Sequence, residues 1–271
     1  MPHFESFDKT RLYYRDEGTG APVIALAGLT RNGADFDHIA PHLPCRLIRL
    51  DYRGRGRSDW ANWHSYTIPT EARDTLALMD HLGLEQAAIL GTSRGGLIAM
   101  ALAATAKSRL TGVALNDIGP ELSPEGLSAI ADYLGKPPAA KTLTQAAQML
   151  ALTPGFANAP PERWAHEAAN RYVETKNGLA LRHDPKLREA VLTAVNFSTP
   201  DLWPLFDALD GRPLALIRGA NSNLLSAATA TEMARRRPDM IRADVADRGH
   251  VPFLDEPEAL HALTQWLEAL P

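Results

Sequence analysis

The stretch AAILGTSRGGLIAMALAATA, residues 87–106, contains an apolar run, a glycine-rich turn around a serine, and a second, longer apolar run. Four small or branched apolar residues closing on Gly91 read as a buried strand, and the uncharged run from Gly95 to Ala106 as a buried helix. GTSRG (91–95) fits the pattern G-x-S-x-G in the setting the pattern requires, directly after a strand and directly before a helix. A serine in so sharp a turn takes a strained backbone, and its flanking segments come close together. Gly91 and Gly95, which have no Cβ, supply that room. Ser93 then stands above the sheet near a helix N-terminus, whose positive end favours a developing oxyanion. The plainer reading, an ordinary serine in a glycine-rich turn, leaves the match of motif and context unexplained.

Outward from this unit, PVIALAG (22–28), CRLIRLD (45–51), LTGVALND (110–117), PLALIRG (213–219) and MIRADVAD (240–247) are short apolar runs ending on Gly or Asp. Helical segments separate them, among them GADFDHIAPHL (33–43), TEARDTLALMDHLGL (70–84), SAATATEMARRR (226–237) and a last helix behind Pro257 with Leu260, Leu263 and Leu267 on one side. This alternation predicts an α/β fold with a mostly parallel sheet between helices. The start differs: HFESF (3–7) and RLYYRDEG (11–18) alternate like an antiparallel edge hairpin. Between residues 120 and 200 the alternation stops, and SPEGLSAIADYLG, LTQAAQMLA, PERWAHEAANRYVE and PKLREAVLTAVNF read as helices with no strand between them. The expected organisation is one core, residues 1–119 and 201–271, with a helical insertion over 120–200.

With 271 residues, 45% of them hydrophobic and 22% charged, the chain can bury a sizeable core. A net charge of −4 gives no electrostatic argument for nucleic acid or an anionic membrane. The single cysteine, Cys45, excludes an intrachain disulfide and suits a reducing compartment. No basic-then-apolar leader opens the chain and no apolar stretch reaches the roughly 18 residues of a membrane span, so a cytoplasmic protein is expected.

A serine nucleophile needs a base and an oxyanion site. His250, in DRGHVPFLDEP (247–257), lies in the loop between the last strand and the last helix and follows the serine in chain order. The loop ALAGLTRN (25–32) offers the N–H of Leu29 as an oxyanion donor beside that of Arg94. Of the other histidines, His38 and His42 are four apart without a third ligand, His81 ends a helix, and His166 and His183 fall in the insertion, so no metal is expected.

DYRGRGRSD, GTSRGG, NDIGPE and GHVPFLDEPEAL, in this order, resemble the α/β-hydrolase superfamily, and the 120–200 insertion resembles its helical cap. The nearest resemblance is to lid-bearing esterases, enol-lactonases and carbon–carbon bond hydrolases. Members with an aspartate nucleophile are disfavoured by Ser93. The resemblance implies no cofactor and a small-molecule ester or lactone as substrate, cleaved by a monomer or small homo-oligomer. It also implies an acid after the strand that ends at Gly219, within a pattern like G-x-x-S-D. RGANSNLLS matches that pattern with Asn223 in the acid's place, and an amide cannot stabilise an imidazolium. Three readings stay open. Position 223 carries an acid-to-amide replacement; the acid is Asp117, ending the neighbouring strand; or the amide itself serves. Asp244 and Asp247 are nearer His250 in sequence but suit local loop bonds.

Arg31 and Arg94 flank the proposed oxyanion loop and could take a substrate carboxylate, although such arginines more often form ion pairs. DYRGRGRSD lacks a P-loop's lysine and spacing and reads as a tight loop beside the cleft. Trp164, Tyr133, Tyr172, Phe197 and Trp203 are aromatic candidates for lining a pocket. Against ester or lactone hydrolysis stand two alternatives: diketone cleavage by the same residues, and a ligand receptor without turnover, which Asn223 alone supports.

Overall fold

The computed structural model describes residues 2–195 and 201–271. Its framework is an eight-stranded sheet in the order β1-β2-β4-β3-β5-β6-β9-β10. The strands are β1 (His3–Glu5), β2 (Arg11–Glu17), β3 (Pro22–Leu26), β4 (Arg46–Leu50), β5 (Ala87–Thr92), β6 (Leu110–Asn116), β9 (Leu214–Gly219) and β10 (Ile241–Val245). β1 pairs antiparallel with β2 and β2 antiparallel with β4, as the alternating N-terminal segments predict, and every other pairing is parallel.

Both faces of the sheet are covered, which is why its strands read as continuous apolar runs. Side chains alternate between faces along each strand. Ile24 and Leu26 of β3 and Ile89 of β5 enter a core shared with α1 (Ile68–His81) and α2 (Arg94–Thr105). Val23 and Ala25 of β3, with Ala88 and Leu90 of β5, enter the opposite core, closed by Leu263 and Trp266 of the final helix. Residues 33–42 form two 3₁₀ turns instead of one regular helix, with Asn32 capping the first through Ala34 N–H at 3.1 Å.

Between β6 and β9 the chain forms α3 (Pro124–Tyr133), α4 (Leu143–Leu150), α5 (Pro161–Arg171) and α6 (Leu187–Val195). It also forms a strand pair the sequence reading does not anticipate, β7 (Tyr172–Thr175) with β8 (Gly178–Leu181). The expected helix from Pro161 therefore ends at Arg171, and the Asn177–Gly178 step, with Gly178 at φ +107°, turns the hairpin. Phe197 lies outside the described residues. The core resumes with α7 (Trp203–Asp207), then α8 (Ala227–Arg236) between β9 and β10, and closes with α9 (Pro257–Glu268). Among the described residues no helix is long and apolar enough to cross a membrane.

Candidate active site

Ser93 occupies the turn between β5 and α2 with φ +50°, a left-handed conformation that costs a non-glycine residue energy and persists only where its surroundings enforce it. Here the enforcement is close packing. A Cβ on Gly95 would stand 2.1 Å from the Leu26 carbonyl oxygen, and one on Gly91 2.5 Å from the Gly95 carbonyl carbon. Only glycine lets β5, α2 and β3 approach so closely. The Ser93 N–H donates to Asn116 O at 2.9 Å, anchoring the turn to the end of β6.

His250, on the loop between β10 and α9, places Nε2 3.0 Å from Ser93 Oγ. Its Nδ1 lies 2.7 Å from Oδ2 of Asp117, the residue directly after β6. Asp117 is fully buried, with φ +54°. Its Oδ1 accepts from Gly219 N–H at 2.8 Å, and Oδ2 also accepts from the Ser222 hydroxyl at 2.6 Å. Asn116 ties the histidine loop to β6 by donating to Pro252 O at 3.1 Å. The carboxylate at the imidazole is therefore Asp117, and the expectation drawn from the G-x-x-S-D resemblance, an acid position at 223, is corrected. Asn223 is exposed, lines the cleft above Ser93, and among the described residues its side chain makes no hydrogen bond. β6 and β9 are parallel neighbours, with Asn116 paired to Ile217, so the loop after either strand starts at the same place beneath the histidine. Asp244 binds Arg218 and Arg242, and Asp247 meets Asn158, so neither reaches the imidazole.

A cleft of about 830 Å³ opens over these residues. Gly28, Leu29, Thr30 and Arg31 form one wall, and α3, residues 153–156 and α5 of the insertion form the other. The N–H groups of Leu29 and Arg94 have no hydrogen-bond partner among the described residues, as donors kept for an incoming oxyanion require. The side chain of Arg94 turns away, with Nε 2.5 Å from Glu71 Oε2. Arg55 completes this buried group: Nη1 lies 2.9 Å from Glu71 Oε1 and Nε donates to Leu29 O at 3.0 Å, so one carboxylate braces both proposed donor residues.

The other substrate-binding candidates divide. Arg31 faces the cleft, but its guanidinium is held by Asp35 at 2.7 Å and Glu167 at 2.5 Å. Burial raises the Glu167 carboxyl, but Arg31 and Arg171 outweigh it and hold the group down at about 2. Trp164 is buried in the cleft wall, edge-on to Phe156 at 5.6 Å and Phe253 at 5.8 Å. Tyr133 and Tyr172 also line the cleft. Trp203 does not; its indole N–H donates to Glu121 at 2.8 Å and Arg236 covers its ring, which removes it from the substrate-binding set. Phe156, Ile130, Arg163 and Phe253 line the cleft without being singled out by the sequence, which offers no short motif for them. His38 and His166 meet each other, ring nitrogens 2.9 Å apart, and among the described residues no group of three or more His, Cys, Asp or Glu is placed to hold a metal.

A strained serine at a strand-to-helix turn, an imidazole with a buried carboxylate behind it, and a parallel sheet beneath define a hydrolase fold. The chain belongs to the family described as alpha/beta hydrolase fold, whose model matches residues 21–257, and it is a hydrolase of that fold. It is 34% identical to a 3-hydroxybutyrate-oligomer hydrolase of Cupriavidus necator, over 94% of this chain and 92% of that protein. It is 27% identical to a 2-(acetamidomethylene)succinate hydrolase of Mesorhizobium japonicum, over 95% of this chain and 92% of that protein. Among solved structures, an alpha/beta hydrolase from Novosphingobium aromaticivorans matches with a TM-score of 0.91 and 38% identity, covering 98% of this chain and 97% of that one.

Proposed function

We propose that this chain is a serine hydrolase that cleaves a small carboxylic ester through an acyl-enzyme. The observation that carries the reading is the unbroken hydrogen-bonded path from Ser93 Oγ through His250 to Asp117, opening into the cleft. Ser93 Oγ attacks the ester carbonyl as its proton passes to His250 Nε2, and the N–H groups of Leu29 and Arg94 hold the oxyanion. Collapse breaks the carbonyl–alkoxy bond, and His250 returns the proton to the leaving alcohol. Water then attacks the acyl-enzyme with His250 as base, releasing the acid and restoring Ser93. Asp117 keeps the imidazole in the tautomer with Nδ1–H and balances the imidazolium.

The insertion, expected over 120–200, caps the cleft through α3, residues 153–156 and α5, and sets which esters fit. The relative named for 3-hydroxybutyrate oligomers supports linear esters of short hydroxy acids as the first substrates, with lactones as the second group. Asn223 is the only support for a receptor without turnover, and with Asp117 at His250 that support falls away. The test is a panel of aryl esters, hydroxy-acid oligoesters and lactones, run on the protein and on Ser93→Ala. Turnover of an ester by the protein and none by Ser93→Ala is expected; equal rates from both would end the proposal.

A further inference from the structure

We propose that Ser222 is a positioning residue whose hydroxyl sets the orientation of the Asp117 carboxylate, and through it of His250. The inference rests on the serine-hydrolase reading and adds a residue that touches none of the reacting atoms. Ser222 Oγ lies 2.6 Å from Asp117 Oδ2, the same oxygen that meets His250 Nδ1 at 2.7 Å. What else reaches the hydroxyl decides the direction of that bond. Leu224 N–H and Leu225 N–H both donate to Ser222 Oγ, at 3.2 and 3.1 Å. A hydroxyl has one proton and two lone pairs. With both lone pairs occupied by amides, the proton is directed to the carboxylate.

The carboxylate needs such direction. The terminal torsion of an aspartate is broad, so backbone and rotamer alone leave the plane of the two oxygens free to turn. Gly219 N–H holds Oδ1 at 2.8 Å and Ser222 holds Oδ2, and the two together aim the remaining lone pair of Oδ2 at the imidazole. Asp117 is fully buried, so no solvent substitutes for a lost donor. Both clamps come from the end of β9 and its loop, where the family resemblance expects the acid. That loop thus meets the catalytic histidine indirectly, by holding a carboxylate that the neighbouring strand supplies.

A double-mutant cycle tests this: Ser222→Ala and Asp117→Ala, singly and together, with kcat and KM measured on an activated aryl ester well below the lowest unfolding temperature. Ser222→Ala is expected to lower kcat about tenfold, the scale of one hydrogen bond to a charged group, with KM within about twofold. Ser222→Thr, which keeps the hydroxyl, is expected to stay within about threefold of the original kcat, on the same scale. Added to Asp117→Ala, the Ser222 change is expected to cost less than about twofold, because nothing remains to be positioned. An unchanged kcat in Ser222→Ala overturns the proposal, as does an equal fold-loss in both backgrounds. Should Asp117→Ala itself leave kcat intact, Asp117 is not the acid and this proposal falls with that assignment, while the serine-hydrolase reading is decided separately by Ser93→Ala.

Discussion

Replacing Asp117 by Asn tests the site at its least solvent-accessible point. The carboxylate accepts three donors, His250 Nδ1 and the Ser222 hydroxyl on Oδ2 and Gly219 N–H on Oδ1. An amide offers one acceptor oxygen and one NH₂. With NH₂ at the Oδ2 position, it faces two donors; with NH₂ at the Oδ1 position, it faces the Gly219 N–H. The first arrangement is relieved at the imidazole alone, when it changes tautomer, Nδ1 accepting and Nε2 carrying the proton; Ser93 then faces a donor instead of a base, and the Ser222 hydroxyl loses its acceptor. The second keeps the tautomer but removes the charge that balances the imidazolium. In the serine-protease precedent, the same change costs about 10⁴ in kcat, roughly 5.5 kcal/mol of transition-state stabilisation. We expect a loss of about 10³–10⁴ here, with KM changing little and a loss of folding stability of about 1–3 kcal/mol from the unpaired buried donor. The assay is aryl-ester turnover with and without Asn223→Asp, and thermal unfolding alongside. If Asp117→Asn stays within about threefold of the original kcat while Asn223→Asp raises it, the assignment of the acid to β6 is wrong.

Three further outcomes follow from the same structure. Gly95→Ala puts a Cβ 2.1 Å from the Leu26 carbonyl, so it forces β3 and α2 apart; ester turnover at least about 100-fold lower and a depressed unfolding midpoint are expected, and a variant with ordinary values of both would remove the steric account of the turn. His183 is buried with neither ring nitrogen bonded, and burial, then the Arg55 cation, push its pKa down to about 4. Its neutral form is the stable one, so its contribution is complete above the unfolded value near 6.5 and is lost as pH falls from there toward 4. The loss is about 3 kcal/mol, and His183→Gln is expected to flatten the unfolding midpoint between pH 6.5 and 4; an unchanged slope would exclude His183 as its source. Arg53 pairs with Asp74 at 2.6 Å, both fully buried, so Arg53→Met strands a buried carboxylate and is expected to cost about 3–5 kcal/mol in denaturant unfolding; a cost below about 1 kcal/mol would contradict the pairing argument.

The core strands and the serine turn are legible in the sequence for one reason: a parallel sheet covered on both faces needs unbroken apolar runs, and a turn this tight needs glycine at 91 and 95. His250 is legible from chain order. The acid is not, because Asp117 and Asn223 follow adjacent parallel strands and the choice between them depends on which loop turns its side chain under the imidazole. Arg31 pairs with Asp35, four residues on, and with Glu167, 136 residues away in the chain, and the second partner is invisible to local pattern. The β7–β8 hairpin is short and half exposed, and the sequence of α5 runs into Tyr172 and Val173 with no glycine or proline to stop the helix; only the Asn177–Gly178 step marks the turn.

The central claim, a serine hydroxyl made nucleophilic by the imidazole beside it, is tested most directly by covalent labelling. The protein is treated with an aryl organophosphonate and the adduct is located by peptide mass spectrometry, in parallel with His250→Ala. One adduct per chain, on Ser93, forming at least about 100-fold more slowly in His250→Ala, is the expected result. An unmodified Ser93, or labelling indifferent to His250, would contradict it.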